Sequence, residues 1–128
     1  MILLDTDICI AILRGQKKVL EQFDHCADSA AISFMTAGEL FYGAYHSSRI
    51  EHNLSLIERF LLSVRVIQSD YSIMKKFGEL KSMIADRTLP DADILITSTA
   101  LVYGIKLITG NISHFERFGD LKIENWLK

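Results

Sequence analysis

Six polar side chains in this sequence could do chemistry together. Asp5 and Asp7 follow the apolar run Ile2-Leu3-Leu4, and Glu39 lies inside a largely apolar stretch. Asp91 and Asp93 follow Pro90, and Asn111 ends the run Thr109-Gly110-Asn111. Carboxylates crowded together repel, and some must take up a proton unless a cation neutralises them. Oxygen-only ligands suit Mg2+ or Mn2+, and without His or Cys in the set zinc is disfavoured. A hard dication at an open cleft can activate water and neutralise the charge that develops on a phosphodiester. The residues by themselves therefore point to metal-assisted phosphoryl chemistry. Each acid also has a plainer use. Asp5 or Asp7 could cap a helix, Asp91 and Asp93 suit the positive end of a helix dipole, and Glu39 could face solvent. Against the plainer uses stands a coincidence: three separate segments would each place an acid at one sheet edge.

The elements that must position these groups alternate between two periodicities. Short apolar runs at Ile2-Leu3-Leu4, Ala30-Ala31-Ile32, Val64 to Ile67 and Lys106 to Thr109 read as buried strands, with a fifth between Leu121 and Trp126. Between them, helices are predicted from Ile8 to about Gly15, over 17–24, from Met35 to about His46 and over about 50–62. Two more follow, one carrying Ile73, Phe77, Leu80 and Ile84, the other opened by Pro90 and closed by Gly104. Gly38 and Gly43 within the third helix suggest a close neighbour on that side. Strands alternating with helices imply a parallel sheet covered on both faces, a three-layer α/β/α sandwich of four to five strands. Sites in such sheets form beyond the carboxyl ends of the strands, which is where these acids fall. Asp91 and Asp93 stand two positions apart, about 200° round a helix, so both cannot face one ion. Asp93 is taken as the ligand and Asp91 as a cap or an outer group.

The totals are consistent with this. At 128 residues the chain suits one domain, 1–128, with no linker, repeat or low-complexity segment. No apolar run approaches the roughly 20 residues that span a bilayer, and Met1 leads straight into Ile2-Leu3-Leu4-Asp5 with no basic leader. Cys9 and Cys26 lack a metal or redox spacing and read as reduced thiols of a cytoplasmic protein. A net charge of −2 offers no global attraction for nucleic acid, although a local basic patch can steer a polyanion.

Five segments in order resemble the PIN-domain family, and specifically its VapC-type toxin ribonucleases. They are Leu3-Leu4-Asp5-Thr6-Asp7-Ile8, Thr36-Ala37-Gly38-Glu39-Leu40 with Gly43-Ala44, Pro90-Asp91-Ala92-Asp93-Ile94-Leu95-Ile96, Leu107-Ile108-Thr109-Gly110-Asn111 with His114-Phe115, and Ile123-Glu124-Asn125-Trp126. The resemblance implies a Mg2+- or Mn2+-dependent endoribonuclease that blocks translation, cutting RNA through metal-activated water. It also implies a VapB-type antitoxin that holds the toxin inactive, and a homodimer. Carried over by position, Asp5, Glu39 and Asp93 are the primary acids and metal ligands. Thr6 and Asn111 would orient a water or the scissile phosphate, with Asp7, Asp91 and Thr109 in support. Asn111 stands where some members carry a fourth acid, so a second metal would be held less tightly.

Other groups carry weaker signals. Arg14, Lys75, Lys76 and Arg87 could contact RNA phosphates, though a solvated helix face explains them as well. The four histidines show no metal spacing, and His114 is read as a surface or structural residue. Tyr42 and Tyr45 could serve an interface. Two rival readings remain: a catalytically silent PIN-like binding module, and a receiver-like domain phosphorylated on Asp70, which follows the third strand. The latter leaves Glu39 and Asp93 without a role.

Overall fold

The computed structural model describes residues 1–84 and 88–128. In chain order it has β1 (Ile2–Leu4), α1 (Thr6–Leu13), α2 (Lys17–His25), β2 (Ala30–Ser33), α3 (Phe34–Tyr45), α4 (Ile50–Leu61) and β3 (Arg65–Ile67). There follow α5 (Tyr71–Met83), α6 (Asp91–Tyr103), β4 (Lys106–Ile108), α7 (Ile112–Phe115) and β5 (Ile123–Glu124). The strands form one sheet ordered β3-β2-β1-β4-β5, and every pairing is parallel. From β1 the chain first moves out to β2 and β3, then returns past β1 to β4. The direction therefore reverses between β1 and β4, and the crevice beyond their carboxyl ends is where such sheets bind ligands.

Strand alternation builds the layers. Ile2 and Leu4 point to one face and meet Ile8, Cys9, Val19, Leu40, Ile57 and Phe60 from α1 to α4. Leu3 points to the other and meets Ile73, Ile94, Ile96, Ala100 and Phe115 from α5, α6 and α7. The central strand β1 is thus apolar at every position because both sheet faces are covered. Cys9 is fully buried, and burial raises its thiol pKa, so it behaves as a small hydrophobe.

Caps set the helix ends. The Asp5 and Ser33 side chains accept from the backbone N–H groups of Thr6 and Met35 respectively. Gly104 closes α6 at φ 64°, a left-handed conformation that a Cβ would oppose. Several sequence expectations shift at these ends. α1 begins at Thr6 because Asp5 itself is the cap, Pro90 is the cap of α6 rather than a first-turn residue, and the one-turn α7 was not anticipated. A Cβ on Gly38 or Gly43 would meet nothing within 4 Å, so neither glycine admits a close neighbour. Asp70 caps α5, its Oδ1 accepting from the Ile73 N–H at 2.9 Å, beside the edge strand β3. Strand β2 lies between β3 and the strand that ends at Asp5, so Asp70 is kept from the Asp5–Asp7 pair and the receiver-like reading loses its structural basis.

Candidate active site

The end of β1 delivers Asp5 and Asp7, and the end of β4 delivers Thr109 and the turn into α7. Asp5 is only 6% exposed. Its Oδ1 accepts from the Thr6 N–H at 2.8 Å and its Oδ2 from the Thr109 hydroxyl at 2.7 Å. Burial, with the charge of Asp7 behind it, pushes the Asp5 carboxyl from 3.8 up to about 7, against the lowering effect of those two hydrogen bonds. The charge of Asp93 adds in the same direction. Asp5 is therefore both the helix cap and a member of the acidic group, so its two sequence readings describe one residue.

Asp7 lies in the first turn of α1. Its Oδ2 accepts from the Gly110 N–H at 2.9 Å, while Oδ1 is buried without a hydrogen-bond partner. Burial raises the Asp7 carboxyl as well, opposed by the Gly110 and Ile8 backbone groups. Gly110 leaves little space. A Cβ there would overlap Leu127 Cδ1 and sit 3.0 Å from Asp7 Oδ2, so the Leu127 side chain would have to shift.

Glu39 enters from α3. Its Oε1 accepts from the Thr6 hydroxyl at 2.6 Å, and the same hydroxyl oxygen lies 3.1 Å from the buried Thr36 hydroxyl. A hydroxyl has one proton to give. Thr6 therefore donates to the Glu39 carboxylate and accepts from Thr36. In the structure Thr6 holds Glu39 in this way. The sequence did not single out Thr36 for any role, although it stands one turn before Glu39 on the same helix.

Asp93 stands in the first turn of α6, half-buried, with Oδ2 2.5 Å from Nδ1 of His114. The Asn111 carboxamide lies 2.9 Å from the same ring nitrogen, and the Asn111 N–H donates to the Thr109 hydroxyl at 3.0 Å. His114 thus belongs to the site, which corrects its reading as a surface or structural residue. No helical periodicity could reveal it, because α7 is only four residues long. Asp91 is corrected too. It is exposed, pairs with Lys81 at 3.0 Å and makes no capping bond to α6, whose cap is Pro90. Its divergence from Asp93 is what the 200° rotation between the two acids predicts.

The basic candidates lie away from this cluster's hydrogen bonds. Arg14 is the exposed C-cap of α1, Lys75 is exposed on α5, and Lys76 pairs with Glu79 at 2.7 Å. Arg87 lies outside the described residues.

One turn of chain touches all three aspartates: Thr109 holds Asp5, Gly110 holds Asp7, and His114 holds Asp93. Among the described residues, no three His, Cys, Asp or Glu side chains close round a single ion as a ready-made group. The donor set suits an open site instead. Mg2+ typically takes one or two carboxylates and keeps several waters. Burial and the neighbouring acids make an ionised Asp5 costly, and one Asp7 oxygen has no hydrogen-bond partner among the described residues; a hard divalent cation would satisfy both, so the residues fit one.

Comparison with known proteins follows the same lines. The chain is 33% identical over 127 residues to the tRNA(fMet)-specific endonuclease VapC of Shigella flexneri, covering 97% of this chain and 96% of that protein. It is 30% identical over 128 residues to the ribonuclease VapC2 of Haemophilus influenzae, covering 98% and 97%. Its fold is similar to that in the crystal structure of VapBC2 from Rickettsia felis bound to a promoter DNA fragment. The TM-score there is 0.90 at 29% identity, covering 98% of this chain and 99% of that one. Residues 2–121 match the PIN domain, and with that span and these relatives the chain belongs to the PIN domain family.

Proposed function

We propose that this chain is an endoribonuclease of the VapC type, the toxin of a VapBC-type toxin–antitoxin module, and that it works with Mg2+ or Mn2+. The observation that carries the reading is the aspartate group at the β1–β4 crevice, where burial and neighbouring acids push the Asp5 carboxyl up to about 7 and one buried Asp7 oxygen has no hydrogen-bond partner among the described residues. Full-length relatives named VapC ribonucleases supply the substrate class, and tRNA is the first RNA to test. Asp5 and Asp93 would hold the divalent ion, with Glu39 joining from the Thr6 side and Asp7 adding negative charge behind. An ion bound there supplies positive charge to the phosphodiester and acidifies a water for attack. The protein's own part is to fix the carboxylates before substrate arrives. Thr6 and Thr36 fix Glu39, and the Thr109–His114 turn fixes the aspartates.

The partner follows from the same relationship. Neighbouring structures are VapBC complexes, and this chain has an apolar groove between α1, α3 and α4, lined by Ile10, Leu13, Leu40, Gly43, Ala44 and Ile57, among others. A VapB-type antitoxin is the partner we assign. The exposed Tyr42, Tyr45 and Tyr71 offer further apolar surface, in keeping with a homodimer that sedimentation would reveal. No described helix is long and apolar enough to cross a membrane, and the reading places the protein in the cytoplasm.

The test is cleavage. Purified chain incubated with tRNA and Mg2+ should cut it, EDTA should stop the cutting, and expression should arrest growth unless the antitoxin is co-expressed. Cleavage that persists in EDTA would remove the metal from the mechanism. A pure preparation that binds RNA but never cuts it would favour the silent binding module.

A further inference from the structure

The turn after β4 holds more than the fold requires. Phe115 is fully buried and anchors α7. His114 is 38% exposed, its ring tilted 54° to Phe115 at 6.4 Å between centroids. Yet its Nδ1 lies 2.5 Å from Asp93 Oδ2. A contact that short needs a proton between the two groups, and imidazole is the stronger base, so His114 is assigned as the donor from Nδ1. With the proton there, the Asn111 carboxamide, 2.9 Å from the same nitrogen, is assigned with its oxygen facing the ring. Asn111 is in turn tied to Thr109, which donates to Asp5. A continuous run of hydrogen bonds therefore joins Asp93 to Asp5 through one short turn.

We propose that His114 is a positioning residue for Asp93. It holds Oδ2 with its Nδ1–H, so that Asp93 meets the divalent ion through its other oxygen in a fixed direction. The proposal rests on the reading that Asp93 holds the ion. It assigns the imidazole no part in binding the ion and no change of protonation. Its role is the fixed direction of one carboxylate, acting through the turn that also carries Thr109 and Gly110. Hydrogen-bond partners of ligating carboxylates typically account for about 10–100-fold in metal affinity.

The experiment is Mn2+ titration of the purified full chain at fixed pH, followed by electron paramagnetic resonance of the free ion. The variants are His114→Ala, His114→Asn and Asp93→Asn, with thermal unfolding in EDTA as the control for folding. His114→Ala should weaken Mn2+ binding about tenfold and leave the unfolding temperature close to that of the parent. His114→Asn, whose amide nitrogen can stand where Nδ1 stood, should recover most of the affinity. Wild-type affinity in His114→Ala, or no recovery in His114→Asn, would overturn the proposal while leaving the metal reading intact. If the unaltered chain binds no Mn2+, or Asp93→Asn binds it normally, the metal reading fails and takes the His114 role with it.

Discussion

Replacing Asp5 by Asn should make the metal-free protein more stable at neutral pH while abolishing RNA cleavage. The sign follows from linkage. The Asp5 carboxyl titrates at about 7 in the fold, against an ordinary value of 3.8. Between those values the folded chain holds a proton that the unfolded chain has released, so stability falls as pH rises through this window and levels off above it. For a 3.8-to-7 displacement the loss is roughly 4 kcal/mol at pH 8 and only about 0.6 kcal/mol at pH 4. Asn removes that loss and keeps the cap, because its side-chain oxygen can still accept from Thr6. It also leaves the buried Thr109 hydroxyl without its acceptor, at a cost of about 1 kcal/mol. The net expectation is a gain of about 3 kcal/mol at pH 8, shrinking to nothing or a slight deficit at pH 4. Urea unfolding followed by circular dichroism, in EDTA at pH 4, 6 and 8, measures this directly. A gap between the two proteins that does not change with pH would refute the reasoning, as would an Asp5→Asn variant that is the weaker one at pH 8. Added Mg2+ should narrow the gap at pH 8 by stabilising the parent alone.

Three further outcomes are expected. Gly110→Ala drives a methyl group into Leu127 and Asp7, and should cost about 1–3 kcal/mol in thermal unfolding; adding Leu127→Ala should relieve part of it. Thr36→Val removes the hydroxyl that sets Thr6, and cleavage should fall several-fold at nearly unchanged unfolding temperature, with Thr36→Ser restoring it. Asp91→Asn breaks only an exposed pair with Lys81, so stability should change by no more than about 1 kcal/mol. In a tRNA cleavage assay Asp91→Asn should cut normally where Asp93→Asn does not.

Much of this protein could be read along the chain because its signals are local. The unbroken apolar runs at Ile2–Leu4 and Leu107-Ile108 mark strands covered on both faces, and the three- and four-residue spacing of Ile73, Phe77 and Leu80 marks a helix. The parallel α/β order follows from their alternation, and the acids Asp5, Glu39 and Asp93 stand out because charge in apolar surroundings needs a reason. What tertiary structure alone decided is which of these groups meet. Strand order puts β4 beside β1, and only that adjacency brings Thr109 to Asp5 across 104 positions and Gly110 to Asp7 across 103. His114 falls within a family-like segment but its contact gives no periodic signal, since a one-turn helix has no period to read, and packing sets it on Asp93. Asp91 shows the converse: the motif groups it with Asp93, and the helical rotation sends it to Lys81 instead. Periodicity reports what one segment will bury. Hydrogen bonds between segments depend on how the sheet is ordered, and that is a property of the whole chain.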